Sequence, residues 1–246
     1  MPNEVYLSVI IPAHNEAKRL PKTLIEIDKY LRTKNYDYEI IVVNGGSTDR
    51  TPDIVKEMME EIKDLKLIEA KDCRGKGEAV KKGMLQAKGS YRVFTDADNS
   101  TSIDQVEKMW PWFERDFDIV IGSRDVKGAV LDPPQPFIRE MILGKGFRLL
   151  CQIICGTWGI LDTQCGFKGF TKKAAENIFP KCKINRFSFD PEILVIAKKL
   201  GYKIKIVPTY WKNDPYTTVK FKSMVKMGFD LLKIKWNLIS GKYAKK

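Results

Sequence analysis

Two short segments rich in aliphatic and β-branched residues, Leu7–Ile11 and Tyr38–Val43, most constrain the fold. Each is typical of a strand with apolar side chains on both faces, as in a parallel sheet covered by helices. Each is followed by a polar loop and a segment with helical features, and the same alternation continues along the first half. The predicted strands lie at 7–11, 38–43, 65–68, 91–95 and 117–122. This alternation predicts an α/β domain with a mainly parallel central sheet flanked by helices.

Two carboxylates, Asp96 and Asp98, follow the strand predicted at 91–95. Residues two apart in an extended chain point to the same side, so both carboxylates converge at the carboxyl end of this strand. Open α/β sheets bind their ligands at that end. Mg²⁺ takes one or two protein carboxylates and fills its shell with substrate phosphate oxygens, so it fits this pair. The alternative is an acidic, solvated turn, because aspartate is common in turns.

The chain is strongly basic. Its 246 residues include 43 Lys and Arg against 31 Asp and Glu, a formal net charge of +12. This surplus favours a phosphate-bearing partner, such as a nucleotide, an anionic membrane surface or a nucleic acid. The sequence has no recognition-helix or RNA-binding aromatic signature, so we expect no nucleic-acid partner.

The five cysteines include no CxxC pair, and His14 is the only histidine. These features disfavour a zinc site and a disulfide framework, and they indicate a reducing compartment. The first residues lack the pattern of a signal peptide, and no apolar run approaches the ~18 residues of a membrane span. We therefore expect a cytoplasmic protein that is soluble or peripheral to a membrane.

The pattern changes after the fifth predicted strand. Three prolines within 129–136 predict irregular structure there. The apolar-rich segment 137–155 predicts a core helix, with a helix lying in a membrane interface as the alternative. The tail, 220–246, predicts a basic amphipathic helix that packs on its own domain or on an anionic membrane. We predict a single domain with a nucleotide-binding half, 1–124, and an acceptor half, 125–246.

Seven motifs occur in order along the chain. They are IPAHNE at 11–16, NGGSTDRT at 44–51, RGKGEAV at 74–80, DADNST at 96–101, GSR at 122–124, DTQCGFKGFT at 162–171 and RFSFDPEIL at 186–194. Together they resemble family 2 glycosyltransferases of the GT-A fold, which is Rossmann-like. The last two motifs look like the dolichyl-phosphate glucosyltransferases and, less closely, the dolichyl-phosphate mannose synthases. Each motif alone is a weak signal, whereas the ordered set at predicted strand ends is specific.

The resemblance implies a nucleotide-sugar donor, a divalent ion (Mg²⁺ or Mn²⁺) and a polyprenyl or dolichyl phosphate acceptor, with inversion at the sugar carbon. It also implies a peripheral location at an anionic membrane surface, on the cytoplasmic face. The implied metal ligands are Asp96, Asp98 and Ser100. The implied donor contacts are Pro12, His14, Glu16, Asp96, Ala97, Asp98, Arg124 and, by a looser match, Lys220.

Three further donor contacts are predicted. Asn44, with Val43 beside it, follows the second strand and offers an acceptor to a uracil N–H. Lys76 lies in a glycine-flanked turn at a predicted helix start, where its charge and the backbone N–H groups suit a diphosphate. The alternative for Lys76 is a solvated lysine in an ordinary turn.

The acceptor chemistry determines the remaining candidates. A phosphate monoester has a second pKa near ~6, so at neutral pH it is a dianion that needs no general base. It needs cations, and we predict Arg124 and Arg139, because a guanidinium binds phosphate through two parallel hydrogen bonds. Asp162 falls where an enzyme acting on a hydroxyl has a carboxylate, and we predict that it positions rather than removes a proton. With Asp98, these residues form the predicted catalytic set. The alternatives are a surface helix position for Arg139 and a turn or cap role for Asp162.

One motif departs from the family, because Asn44-Gly45 replaces the usual pair of aspartates. Gly45 offers no side chain to a base or ribose, so the donor stays open between UDP-glucose, which we favour, and GDP-mannose. Two more hypotheses fit the sequence, namely a catalytically weakened nucleotide-sugar-binding protein and a transferase acting on a soluble hydroxyl. The sequence does not predict the oligomeric state.

Overall fold

The fold is built on a central seven-stranded sheet, seen in a computed structural model that describes residues 4–133, 146–212 and 221–244. The strands described are β1 (Leu7–Ala13), β2 (Tyr38–Asn44), β3 (Leu65–Glu69), β4 (Tyr91–Phe94), β5 (Ile119–Ser123), β6 (Val130–Asp132), β7 (Lys168–Thr171), β8 (Ile204–Pro208) and β9 (Tyr210–Lys212). The spatial order of the central sheet is β3-β2-β1-β4-β7-β5-β8. Strand β7 runs antiparallel to both of its neighbours, and the other pairs are parallel, so the prediction of a mainly parallel sheet is confirmed.

Helices cover both faces of this sheet. Those described are α1 (Leu20–Leu31), α2 (Thr51–Met58), α3 (Lys76–Gln86), α4 (Trp110–Phe113), α5 (Gly146–Cys155), α6 (Lys172–Ile178), α7 (Phe189–Leu200) and α8 (Phe221–Ile239), with 3₁₀ turns at Ile103–Lys108 and Phe179–Lys181. The basic amphipathic helix predicted in the tail corresponds to α8. None of the helices in the described ranges combines the length and hydrophobicity that a bilayer-spanning segment requires.

Alternate residues of the strands enter two hydrophobic layers. On β1, Val9 and Ile11 pack with Leu24 of α1, whereas Ile10 faces the other side and packs with Val80 of α3. All five side chains are fully buried. Full burial of one such side chain is worth about 1.5–3 kcal/mol, and a one-residue slip would exchange the two layers. The register of β1 is therefore fixed from both sides.

The two halves predicted from the sequence share this one sheet. Strand β7 comes from the second half, yet it lies between β4 and β5 of the first half. Lys168 at the start of β7 pairs in register with Phe94 on one side and Ile121 on the other. The chain is a single domain, and the assignment of donor and acceptor binding to separate halves stays a prediction.

The prediction of irregular structure over 129–136 is wrong for three of these residues. Val130–Asp132 form β6, which pairs in parallel with β9 in a separate two-stranded sheet. Extended structure is compatible with the sequence because the residue before a proline, here Asp132 before Pro133, is biased towards the β region. Residues 134–136 lie outside the described residues.

Candidate active site

Loops at the carboxyl ends of the adjacent strands β1 and β2 are bound to each other. His14 Nδ1 donates to the carbonyl oxygen of Gly45 at 2.9 Å. Asn15 Oδ1 accepts the backbone N–H of Thr48 at 2.8 Å. These bonds fix both loops at the edge of the sheet where open α/β folds bind ligands.

Three predicted donor-contact residues shape these loops. Asn44 is 2 % exposed, and its Oδ1 accepts the backbone N–H of Ser47 at 3.0 Å. The Val43 side chain is fully buried in the core, so a donor can reach only its backbone. Glu16 binds Arg19 through two hydrogen bonds of 2.8 Å. Their contacts with a donor, like those of the buried Pro12, stay predictions.

The loop after β4 carries the two predicted metal-binding carboxylates. Asp96 and Asp98 are both partly exposed. The hydroxyl of Thr23 donates to the carbonyl oxygen of Ala97 at 2.8 Å. Asp98 Oδ1 accepts the backbone N–H of Ser100 at 3.0 Å, and Ser100 itself is buried. The loop is thus held from both sides while its carboxylates keep access to solvent.

Gly166, from the loop before β7, packs directly against Asp96. A Cβ atom at position 166 would lie 2.2 Å from Asp96 Oδ2. That distance is far inside van der Waals contact, so any side chain at 166 would displace the carboxylate. The motif at 162–171 therefore fixes the position of Asp96, about 70 residues earlier in the chain.

A cluster of alternating charges joins this loop to α3 and α7. Lys76 forms an ion pair with Asp96. Burial by itself would lower the pKa of Lys76, but attraction by Asp96 and Asp190 outweighs it and raises the pKa. Lys168 Nζ lies 2.5 Å from Asp190 Oδ1, with Lys168 fully buried and Asp190 4 % exposed. Burial raises the pKa of Asp190, although Lys168 and Lys76 act in the opposite direction.

Lys168 and Asp190 were not among the residues predicted for the site. A signal for them exists in the sequence, because Lys168 interrupts the apolar segment 167–170 and buried lysines require a partner. Asp190 lies within the motif at 186–194, in the first turn of α7, but nothing local in the sequence pairs these two residues. The pairing depends on the packing of the start of α7 beside β7, which brings the two side chains within 2.5 Å.

Arg124 and Asp162 form the second charged centre of the site. Arg124 Nε and Nη2 each donate to the Asp162 carboxylate at 2.8 Å, and the Arg124 backbone N–H donates to it at 3.0 Å. Burial would raise the pKa of Asp162, which is 2 % exposed, but the Arg124 charge and these hydrogen bonds overcome it and lower the pKa to about 2. The Arg124 guanidinium carbon also lies 5.2 Å from the ring centroid of Trp211 on β9.

This ion pair predicts a pH dependence of stability. The pKa of Asp162 is lower in the folded state, about 2, than the ~3.9 of an unfolded aspartate. Its contribution of roughly 2–3 kcal/mol is present above about pH 4 and is lost as the pH falls towards 2. When the pH is lowered from about 4 towards 2, we expect the free energy of unfolding of an R124M/D162N double variant to fall correspondingly less than that of the unmodified chain. Urea unfolding at a series of pH values measures the difference, and parallel curves for the two proteins would contradict the prediction.

The described residues Asp96 and Asp98 fit a divalent ion whose other ligands come from a substrate. Among the described ranges, no group of three or more Asp, Glu, His or Cys side chains is placed to hold a metal. Two carboxylates on one partly exposed loop are the protein ligands that Mg²⁺ uses when phosphate oxygens complete its shell. Two predicted site residues, Arg139 and Lys220, lie outside the described residues.

Residues 8–179 match the family described as "Glycosyl transferase family 2", and this stretch is more than half of the chain. The chain belongs to this family. The family membership predicted from the seven motifs is thereby confirmed, and the chain is a glycosyltransferase.

Relatives within the family are similar over most of the chain. A dolichyl-phosphate beta-glucosyltransferase of Trichomonas vaginalis is 38 % identical over 94 % of this chain and 73 % of its own length. The enzyme of the same name from Dictyostelium discoideum is 37 % identical over 97 % of this chain and 76 % of its own. The human dolichyl-phosphate beta-glucosyltransferase is 32 % identical over 96 % of this chain and 76 % of its own length. The chain therefore spans about three quarters of the length of these relatives.

Solved structures share the fold at low sequence identity. Mannosyl-3-phosphoglycerate synthase from Rubrobacter xylanophilus superimposes with a TM-score of 0.67 at 14 % identity, over 98 % of this chain and 76 % of its own. A second structure is that of glucosyl-3-phosphoglycerate synthase from Mycobacterium tuberculosis in complex with Mn²⁺, UDP and glucosyl-3-phosphoglycerate. It gives a TM-score of 0.64 at 15 % identity, over 96 % of this chain and 80 % of its own. These similarities confirm the predicted GT-A fold.

Proposed function

We propose that this family 2 glycosyltransferase transfers glucose from UDP-glucose to a polyprenyl phosphate such as dolichyl phosphate. An acceptor phosphate oxygen attacks the first carbon of the sugar from the face opposite the diphosphate. The bond from that carbon to the diphosphate breaks, UDP leaves, and the configuration inverts. The names of the relatives, at 31–38 % identity, support both the sugar and the acceptor.

The Arg124–Asp162 pair is the observation that carries the proposal. A hydroxyl acceptor needs a carboxylate that is free to take a proton. Asp162 is buried, its pKa is lowered to about 2, and three hydrogen bonds from Arg124 already occupy it. A carboxylate in that state is a poor base at neutral pH. A phosphate dianion needs no base, so this arrangement favours a phosphate acceptor.

Asp162 orients Arg124 towards the acceptor. The two bonds from Nε and Nη2 engage one edge of the guanidinium, which has five N–H groups in all. The remaining N–H groups are the ones that we assign to the acceptor phosphate. With the guanidinium carbon over the Trp211 ring and Asp162 at the guanidinium edge, Arg124 is already ordered before any ligand binds.

Asp96 and Asp98 are the residues that would hold a divalent ion, Mg²⁺ or Mn²⁺, at the donor diphosphate. When bound, such an ion neutralises the negative charge that develops on the departing diphosphate. The likeness to a fold crystallised with Mn²⁺ and UDP supports this assignment. Lys76, now paired with Asp96, is close enough to contribute its charge to the same diphosphate.

We propose that the reaction takes place on the cytoplasmic side of a membrane, in keeping with five free cysteines.

GDP-mannose is the competing donor because Asn44-Gly45 replaces the usual acidic pair and carries no carboxylate that would select uracil. The test is to incubate the protein with dolichyl phosphate, Mn²⁺ and either labelled UDP-glucose or labelled GDP-mannose, and then to extract the lipid phase. We expect label in the lipid phase from UDP-glucose and at least about tenfold less from GDP-mannose, since a site built around one base penalises another that leaves polar groups unpaired. Greater transfer from GDP-mannose would overturn the choice of sugar. Absence of labelled lipid with both donors would overturn the proposed function.

A further inference from the structure

Large apolar side chains are concentrated on one part of the surface. Among the described residues, fifteen large hydrophobic side chains are exposed, and nine of them belong to α5, to the loop that follows it, or to α8. We call these nine the outer apolar face. They are Leu149, Leu150, Ile153, Trp158, Leu161, Phe229, Leu232, Trp236 and Ile239.

The outer apolar face does not result from poor packing of the two helices. On α5, Cys151 and Cys155 are buried, and Cys155 Sγ lies 3.9 Å from the Leu231 carbonyl oxygen of α8. On α8, Leu231 and Ile234 are fully buried. Each helix thus already has an apolar inner side, and its outer apolar side chains are between 45 % and 70 % exposed.

The outer side of α8 follows helical spacing. Phe229, Leu232, Trp236 and Ile239 lie three or four residues apart, and they are between 56 % and 70 % exposed. Residues at this spacing lie on one face of a helix. Apolar surface of this extent is unusual on a soluble monomer and indicates an interaction site.

The charges beside this face identify its partner. Lys226, Lys233 and Lys242 are exposed on and just after α8, and Lys235 is partly exposed. Asp230 is the acidic residue in this part of the helix, over residues 226–242. A helix with exposed Trp, Phe and Leu beside lysines binds the interface of an anionic bilayer. A second copy of this chain would instead bring these lysines against one another.

We propose that the outer apolar face docks on an anionic lipid bilayer, with Trp158 and Trp236 at the level of the headgroups. This inference deepens the proposed function, because it supplies the surface that brings the protein to a lipid acceptor. Contacts inside the protein connect the face to the site. Arg148 of α5 forms an ion pair of 2.6 Å with Asp125, the residue after Arg124. Thr163, the residue after Asp162, contacts Cys151 of α5.

The test is co-sedimentation with vesicles of phosphatidylcholine alone or mixed with phosphatidylserine. We expect binding to the mixed vesicles, weakened by added salt, and at least about tenfold weaker binding of an F229E/W236E variant, which places two charges in the interface. The matched control is I25E on α1, an aliphatic residue that is 55 % exposed far along the chain from this face. It should bind like the unmodified chain. Circular dichroism and the unfolding midpoint verify that both variants fold.

Transfer to a short, water-soluble polyprenyl phosphate separates this inference from the proposed function. Transfer by F229E/W236E at the unmodified rate, together with loss of vesicle binding, supports docking as a separate step. Vesicle binding without transfer to any acceptor leaves docking intact and overturns the proposed function. Equal vesicle binding by F229E/W236E and the unmodified chain would overturn docking. Docking would also be overturned by a different outcome, in which the unmodified chain is a dimer in sedimentation velocity, F229E/W236E is a monomer, and neither protein binds vesicles.

Discussion

Asp98→Asn is expected to reduce the rate of glucose transfer by about 10²–10³-fold, the effect of removing one group that stabilises transition-state charge. The substitution keeps the size of the side chain and still offers an oxygen to the Ser100 N–H, which Asp98 Oδ1 now accepts at 3.0 Å. It removes one of the two negative charges that we propose as ligands of a divalent ion on this loop. Binding of UDP measured by calorimetry should therefore lose its dependence on Mn²⁺, while the unfolding midpoint stays within a few degrees of the original.

The matched control for this prediction is Asp53→Asn on α2, which removes one exposed carboxylate elsewhere on the chain. It should leave both the transfer rate and UDP binding unchanged. Treatment of the unmodified enzyme with EDTA should abolish transfer, and Mg²⁺ or Mn²⁺ should restore it. Full activity of Asp98→Asn, or full activity in EDTA, would show that the charge on this loop has no catalytic role.

Lys168→Met is expected to lower the free energy of unfolding by about 3–5 kcal/mol, the usual cost of leaving a buried charge without its partner. Lys168 is fully buried, and its ammonium lies 2.5 Å from Asp190 and 2.5 Å from the carbonyl oxygen of Cys165. Methionine fills similar space but leaves Asp190 with a nearby negative charge, Asp96, and without its closest cation. Denaturant unfolding monitored by fluorescence measures the change.

The double variant K168M/D190N distinguishes the lost pair from lost packing. Because it removes both charges, it should recover a large part of the stability that Lys168→Met loses. Lys56→Met serves as the surface control, since the Lys56 and Glu69 side chains are 57 % and 34 % exposed and such pairs are worth at most ~1 kcal/mol. If Lys168→Met lowered the free energy of unfolding by no more than Lys56→Met does, the buried pair would not contribute to folding in the way described.

The first half of the chain was predictable because its signals are local. Apolar segments such as Leu7–Ile11 indicate buried strands, and polar motifs indicate where these strands end. The convergence of Asp96 and Asp98 stays a prediction from their spacing, whereas their place on a partly exposed loop directly after β4 agrees with the sequence pattern. The positioning role predicted for Asp162 agrees with its geometry, although it stays a prediction until an acceptor complex is tested.

The second half was less predictable because its structure depends on contacts between distant segments. No periodicity in 168–171 indicates a strand that inserts between two others, so the pairing of Lys168 with Asp190 could not be foreseen. The same applies to the β6–β9 pair, which joins segments about 80 residues apart. The core helix predicted over 137–155, with an interfacial helix as the alternative, corresponds to α5 over Gly146–Cys155, whereas residues 137–145 lie outside the described residues. Helix α5 is buried on one side and carries apolar side chains on both.

The insertion of β7 has a consequence for any attempt to divide this enzyme. A fragment ending at residue 124 would contain β4 and β5 but not the strand that bonds to both. Their facing backbone N–H and carbonyl groups would then be open to strands of other molecules, which is a route to aggregation. Recombination with related transferases should therefore exchange residues 91–171 as one block, so that these three strands are always inherited from the same parent.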